Sequence, residues 1–408
     1  MTIATDPPKA SFRLSMLIND TRYRSYTFQA IALLALIVAF SILGRNLMEN
    51  LAAAGLNISY GFLGDPAGYD INQQLIPYDS QSTHMRASIV GALNTLLVAF
   101  MACITATLFG VVAGVLRLSN NWIIGRLMSL YVEIFRNIPV LIWLIIIFTI
   151  TANVFPPISE FRLPSDGSEP ERTLIFGAMA FTNQGVFIPR LTFAANGWLV
   201  GFTLLASIAG IFFLRRYSRN KLFNEGKIVP ILVPSIALLI VPTVLMYFVL
   251  GRPVGMDMPE MARFRFEGGV QLRTSFIALW FALSIYTGAF IAENVRAGIL
   301  AISKGQTEAA GALGLRPGRI MNLVVLPQAL RVIIPPLISQ YLNITKNSSL
   351  AIAVGYMDLT GTLGGITLNQ TGRAIECVLL LMLFYLTFSL AVSSLMNIYN
   401  NSIKLKER

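Results

Sequence analysis

Few residues in this 408-residue chain are of a type that does chemistry, and none is spaced for catalysis. Its one histidine, His84, stands in Ser82-Thr83-His84-Met85 with no HExxH pattern or acidic cluster, and is expected in an exposed loop. Cys103 and Cys377 lie far apart in apolar runs without a CxxC partner, so neither a disulfide framework nor a metal cluster is expected. No nucleophile and base stand at usable spacing. Gly226-Lys227 is followed by Ile228 rather than Ser or Thr, so the chain carries no phosphate loop of its own. Gly361, Gly364, Gly365 and Gly372 read as a glycine-rich turn with no strand or helix start to make a phosphate cradle.

Two groups of polar residues remain, and both suit binding or conduction rather than reaction. Asn94 and Thr95 open one apolar run, while Asn343, Thr345, Lys346, Asn347, Ser348 and Ser349 interrupt another. A charge at the centre of a bilayer costs about 2.5–3.5 kcal/mol, so Lys346 is expected to face protein or water. Two roles fit it: lining a path where a carboxylate passes, or donating hydrogen bonds to nearby carbonyls. Glu293 and Arg296, three apart at a helix end, are expected to form a local ion pair.

The second group is a hydrophilic island, Glu308-Ala309-Ala310-Gly311-Ala312-Leu313-Gly314, followed by Val324-Val325-Leu326-Pro327. Ser303 with Gln306 three residues on forms a capping-box pattern, and Gly314 can close the helix left-handed. Arg316-Pro317-Gly318 then starts another. A short helix over about 304–313 follows, with Ala309, Ala310 and Gly311 giving a face almost free of bulk and Glu308 offering one acceptor. Such a face lets a second surface approach closely.

These residues sit in a chain that is 55% hydrophobic and 12% charged, the composition of a membrane protein. A hydrocarbon core of roughly 30 Å needs about 20 helical residues. Eight runs qualify: 26–43, 89–116, 138–155, 196–214, 229–250, 274–292, 333–355 and 377–397. The first is expected to be an anchor, since it is too long for a signal core and lacks a small-residue cleavage site. The net charge of +11 is distributed as in a membrane protein and does not mark a nucleic-acid binder. With the N-terminus inside, Lys9, Arg13, Arg22, Arg24, Arg117, Arg126, Arg136, Arg215, Arg216, Arg219, Lys221 and Lys227 fall on the cytoplasmic side. So do Arg296, Lys304, Arg316, Arg319, Arg331, Lys404, Lys406 and Arg408, while Glu160, Asp166, Glu169, Glu171, Asp257, Glu260 and Glu267 fall outside. Both termini are therefore expected in the cytoplasm. Pro230, Pro234 and Pro242 mark kinks in the fifth run. Segments 44–87, 156–195 and 251–273 read as external loops, and 196–250 as an inserted peripheral hairpin.

Glu308-Ala309-Ala310, Gly314, Val324 and Leu326-Pro327 together resemble the cytoplasmic loop of ABC importer permeases, with Val324 where Ile is usual. Ala292-Glu293-Asn294-Val295-Arg296-Ala297-Gly298-Ile299, Lys304-Gly305-Gln306 and Leu326-Pro327-Gln328-Ala329-Leu330-Arg331 resemble the polar amino acid (HisM/HisQ-like) branch. So does Tyr131-Val132-Glu133-Ile134-Phe135-Arg136-Asn137-Ile138-Pro139, although Gly-Thr is commoner where Asn137-Ile138 stand. The length and the insertion resemble the long permeases of general L-amino acid or glutamate/glutamine/aspartate/asparagine importers.

The resemblance implies an all-α polytopic protein with about eight transmembrane helices and a type I ABC importer permease core. It divides the chain into 1–87 (tail, first span, external loop), 88–155 (first core part), 156–273 (insertion), 274–397 (second core part, coupling loop 293–332) and 398–408 (tail). It implies that Glu308, Ala309, Ala310, Gly311, Gly314 and Pro327 couple the chain to a cytoplasmic ATPase dimer, which uses the ATP and magnesium. This chain itself then needs no cofactor or metal and is not an enzyme. A second permease, as a heterodimer, and a periplasmic amino-acid-binding protein complete the implied importer in a bacterial inner membrane. Asn94, Thr95, Asn343, Lys346, Asn347 and Ser348 are its candidate substrate path. An ion-coupled secondary transporter is the alternative; it would show matching broken helices and intramembrane carboxylates, and neither is visible. The choice among acidic, amidic and broad L-amino acid substrates stays open.

Overall fold

A computed structural model describes residues 16–55, 57–162, 170–227 and 229–403. Lys9, Arg13, Asp166, Glu169, Lys404, Lys406 and Arg408, which entered the charge asymmetry, lie outside the described residues. The chain divides between Phe62 and Leu63 into two compact units. The first holds α1 (Met16–Asn19) and α2 (Thr21–Ala53). Apolar residues drive α2, in which Ser41 is the one polar side chain between Ala30 and Leu43. The helix continues beyond the expected end of its span to Ala53, helped by the Arg45–Glu49 pair at 3.1 Å one turn apart. The loop expected from residue 44 therefore begins about ten residues later.

The second unit is built on α3 (His84–Leu116), α5 (Val140–Val154), α8 (Thr274–Leu300), α11 (Leu326–Asn347) and α13 (Ala374–Ile403). Small residues set its tightest contact. Ala102, Ala106, Gly110 and Gly114 recur every fourth residue along α3 and are buried against α8. A Cβ at Gly110 would lie 2.5 Å from Ile291 Cβ, and one at Gly114 would lie 2.6 Å from the Ala292 carbonyl oxygen. Lipid offers apolar helices no hydrophobic reason to associate, so close backbone approach supplies the attraction. Thr105 joins Ser284 and Trp280 across this seam, and Thr107 joins Tyr341 of α11 at 2.8 Å. Gly298 repeats the device between α8 and α11, with Ile333 seated against it.

Asn121 caps α4 (Trp122–Asn137) by accepting from the amides of Ile123 and Ile124. The helix stops at Ile138, whose extended backbone is what a following proline requires. Beyond Pro139, α5 leaves at 107° to α4. Among the described residues, seven helices are long and apolar enough to cross a membrane, or eight with this bent pair as one span. All eight expected runs fall on them, the third on α5.

The insertion is more ordered than loops around a hairpin. α6 (Trp198–Glu225) and α7 (Leu232–Val249) pack chiefly on each other, with Gly210 close against Leu238 and Pro242 inside α7. Short strands flank them: β1 (Ala180–Thr182), β2 (Gly185–Ile188), β3 (Arg190–Phe193), β4 (Val254–Asp257), β5 (Glu260–Met261), β6 (Phe266–Glu267) and β7 (Val270–Arg273). β1-β2-β7 form one antiparallel sheet, while β3-β4 and β5-β6 form two-stranded ladders. Gly185 pairs with Arg273 and Arg190 with Asp257, so chain on both sides of the hairpin is tied together at its base. Phe161, Phe187 and Phe266 fill the space beneath. The body of the protein is all-α as expected; the strands are additions in segments read as loops.

Candidate functional site

The hydrophilic island folds as α9 (Lys304–Ala312), bounded as its local signals predict. At its start the backbone carbonyl of Ser303 accepts from the Gln306 amide, but the Ser303 hydroxyl makes no capping bond, so Ser303 stands at the N-cap position without the expected capping box. At its end Gly314 takes φ +76°, donating to Gly311, while Leu315 donates to Ala310. That pair of bonds is the Schellman closure, which satisfies the last carbonyls and needs the left-handed residue.

The face differs in one respect from the sequence reading. Ala310 is buried, whereas Ala309 and Gly311 are exposed as expected. The exposed stripe is Gly305, Glu308, Ala309 and Ala312, which fall at helical spacings of three and four. Leu313 ends the stripe at 81% exposure, and sequence reasoning did not single it out. α10 (Pro317–Ile320) starts with Pro317 in its first turn, as expected. Met321–Val325 then forms one wide turn leading into α11. This turn precedes Pro327, which has no N–H for the Leu323 carbonyl one turn back and would crowd it in a regular helix.

Just before α9, Glu293 of α8 holds three arginines. Arg296 donates to Oε1 at 2.7 Å, Arg117 from the end of α3 binds Oε2, and Arg136 of α4 stands 3.9 Å from Oε2. The expected pair with Arg296 is present, and two partners distant in sequence join it. The knot draws the same ends of α3, α4 and α8 together and carries two unmatched positive charges.

The polar residues of the apolar runs separate into two groups. Asn94 and Thr95 are fully buried and tie α3 to the 356–359 turn. Asn94 Nδ2 donates to the carbonyls of Gln73 (2.7 Å) and Met357 (2.9 Å), and Thr95 Oγ1 accepts from the Leu359 amide at 3.0 Å. Ser348 is likewise buried, its hydroxyl donating to Thr345. Asn343 and Lys346 are exposed, with Ser339 on the same face of α11, and Asn347 is half-buried beside them. Pro335 and Pro336 interrupt the hydrogen bonding of that helix one to two turns earlier. A polar stripe inside a candidate span needs water or another protein against it, not lipid. No hydrogen bond or ion pair joins Asn94 or Thr95 to Asn343, Lys346 or Asn347 among the described residues.

Two further expectations change. His84 opens α3 and is buried, its Nδ1 within 3.1 Å of Thr367 Oγ1, because Thr83 rather than His84 ends the loop and caps the helix. Gly361, Gly364 and Gly365 belong to a wide-turned helical stretch, Thr360–Thr367, rather than a turn; α12 (Leu368–Thr371) follows and Gly372 closes it with φ +65°. That stretch lies so close to α3 that a Cβ on Gly91 would meet Thr362 Oγ1 at 2.1 Å.

Residues 202–405 match the family model described as binding-protein-dependent transport system inner membrane component. The chain is 53% identical to the glutamate/glutamine/aspartate/asparagine transport system permease protein BztB of Rhodobacter capsulatus, over 100% of both chains. It is 41% identical to the general L-amino acid transport system permease protein AapQ of Rhizobium johnstonii, over 98% of this chain and 96% of that one. A putative amino-acid ABC transporter permease protein of Escherichia coli, YhdX, is 38% identical over 98% and 99% of the two chains.

Proposed function

This chain belongs to the family of binding-protein-dependent transport system inner membrane components, and on that premise we propose that it carries L-amino acids through the inner membrane. The family's members are permeases of ABC importers, which work with an ATPase and a binding protein. Amino acids are the cargo named for the relatives that match over the full chain, including the acidic and amidic ones named for BztB. Both termini and α9 lie on the cytoplasmic side in this reading, with the β-strands and the 63–83 segment outside. The basic residues grouped at one set of helix ends support that orientation.

The observation that carries the mechanism is α9: a short, closed helix whose exposed stripe is Gly305, Glu308, Ala309 and Ala312, ending in exposed Leu313. It fits a groove on one subunit of an ATPase dimer, with Leu313 as an apolar anchor and Glu308 as a partner for a basic group. The ATP and magnesium are held by that dimer. Its closure moves α9, and the Glu293 knot beside it passes the movement to α3, α4 and α8. A second, related permease covers the stripe of Ser339, Asn343 and Lys346, and the amino acid passes between the two. Asn94, Thr95 and Ser348 support that path from behind, since the Asn94 amide nitrogen and the Thr95 and Ser348 hydroxyls are committed within this chain.

The test is uptake of labelled L-glutamate and L-glutamine by proteoliposomes holding the complete importer, with ATP hydrolysis followed in parallel. Gly314→Trp is expected to abolish uptake while hydrolysis continues and the permease still inserts. Uptake at the normal rate in that variant would refute the coupling role of α9.

A further inference from the structure

At the end remote from its basic 215–227 segment, the inserted hairpin carries a ribbon of two strands whose faces differ completely. Opposite residues of an antiparallel pair share a face, and the faces alternate along each strand. Leu191 opposite Met256 and Phe193 opposite Val254 therefore make one face, which is wholly apolar. Arg190 opposite Asp257 and Thr192 opposite Gly255 make the other, which carries the 2.8 Å ion pair between Arg190 and Asp257. β3 and β4 pack chiefly on each other, and Leu191, Phe193 and Met256 are 53%, 61% and 64% exposed. A two-stranded ribbon is marginal in water, and an exposed apolar face calls for a cover.

The connections on either side of the ribbon say what that cover is. Only residues 194–197 separate β3 from α6, and only 250–253 separate α7 from β4. Four residues reach about 14 Å when fully extended, and these are folded. Gly197 donates to the Ala194 carbonyl, Arg252 to that of Tyr247, and Ala194 to that of Pro253 across the two connections. The ribbon is thus pinned to the head of two helices long and apolar enough to span a membrane. Phe193 sets the apolar face against that head, since a Cβ on Gly197 would lie 3.2 Å from Phe193 Cδ1. Trp198, Phe248 and Val249, all exposed, continue the apolar surface onto α6 and α7. Arg252 holds its guanidinium 5.6 Å from the centre of the Phe248 ring, the posture of a cation whose stem lies on apolar surface while its head stays wet.

We propose that the β3–β4 ribbon lies on the lipid bilayer, its apolar face seated at the boundary between head groups and acyl chains. Open strand edges cannot enter hydrocarbon, because their unpaired amides and carbonyls need water, so the ribbon stops at that boundary. Phe193 and Trp198 act there as interfacial aromatic anchors, and the Arg190–Asp257 face looks to water. Seated this way, the ribbon fixes the depth of α6 and α7, which pack chiefly on each other and have little else in the chain to hold them. The assignment is independent of which cargo the protein carries.

The test uses this chain assembled with its partner subunits in lipid nanodiscs. Nitroxide labels are attached at Leu191→Cys, Met256→Cys and Thr192→Cys, each in a chain that also carries Cys103→Ala and Cys377→Ala. Collision with oxygen, which concentrates in lipid, is compared with collision with a water-soluble nickel chelate. The labels at 191 and 256 should give a nickel-to-oxygen ratio several-fold lower than the label at 192. Equal ratios at all three positions would mean that the ribbon has no lipid face. Shielding of 191 and 256 from both reagents would mean that another subunit covers it. Either result overturns the assignment. A second measurement leaves the sequence untouched: a phosphatidylcholine with a diazirine near the top of its acyl chain is photolysed in the same nanodiscs, and its adducts are mapped by mass spectrometry. Adducts are expected on Leu191, Phe193 or Met256 and not on Arg190 or Thr192. Adducts on Val249 of α7 with none on those three would refute the lipid contact even if the cysteine variants fail to assemble.

Discussion

Gly110→Ala should loosen the protein although it adds only a methyl group. The new Cβ would sit 2.5 Å from both Cβ and Cγ2 of Ile291 and 2.9 Å from the Gly288 carbonyl oxygen. Ordinary contact begins near 3.4 Å, so α3 and α8 must separate by close to 1 Å, which is the overpacking that costs about 1–3 kcal/mol. Ile291 is fully buried and meets the methyl group with its branch point, not a flexible tip, so rotamer change gives little relief. Alanine returns at most about 1 kcal/mol of helix propensity, leaving a net loss of up to about 2 kcal/mol. Gly201 in α6 is the control, since nothing lies within 4 Å of its would-be Cβ and Ala should stabilise it by up to about 1 kcal/mol. The assay is unfolding of the purified chain by SDS in mixed micelles, fitted for midpoint and slope. The two variants should move the midpoint in opposite directions. A Gly110→Ala midpoint at or above that of the wild type would refute close backbone packing as the source of this contact.

Glu293→Gln removes the only acidic member of a knot with three arginines, and its carboxylate is 24% exposed. The loss should fall toward the lower end of the roughly 3–5 kcal/mol typical for breaking a buried pair, read by the same unfolding assay. Asp358 is fully buried, accepts from the Gly361 amide and the Tyr385 hydroxyl, and has its pKa pushed up to about 6 by burial. Because the folded state holds this proton more tightly, the stabilisation is complete below about pH 4 and is lost as pH rises through about 6, by roughly 3 kcal/mol. Asp358→Asn should flatten that part of the stability–pH curve; a wild-type curve no steeper than the variant's between pH 4 and 7 would contradict the burial argument. Lys346→Met should slow amino acid uptake while leaving ATPase association unchanged, and unchanged transport kinetics would return Lys346 to a structural role.

What could be read along the chain was whatever depends on neighbours in sequence and on the solvent. Eight apolar runs foretold the spanning helices because a helix in lipid must satisfy its own backbone and offer apolar side chains all round. Ser303 and Gly314 foretold the bounds of α9, because helix ends are set by the few residues beside them. The four-residue repeat of Ala102, Ala106, Gly110 and Gly114 was equally legible, but it names a contact face and not the helix that fills it. The tertiary structure decided the rest. It turned Ala310 inward, buried His84 beneath Thr367, brought Arg117 and Arg136 to Glu293, and paired β2 with β7 across an inserted hairpin. It also set Gln73, Arg273 and Tyr356 around one cavity. Periodicity tells which side of a helix is to be covered; only the packed chain says by what, since the partner is chosen by shape and charge between residues far apart in sequence.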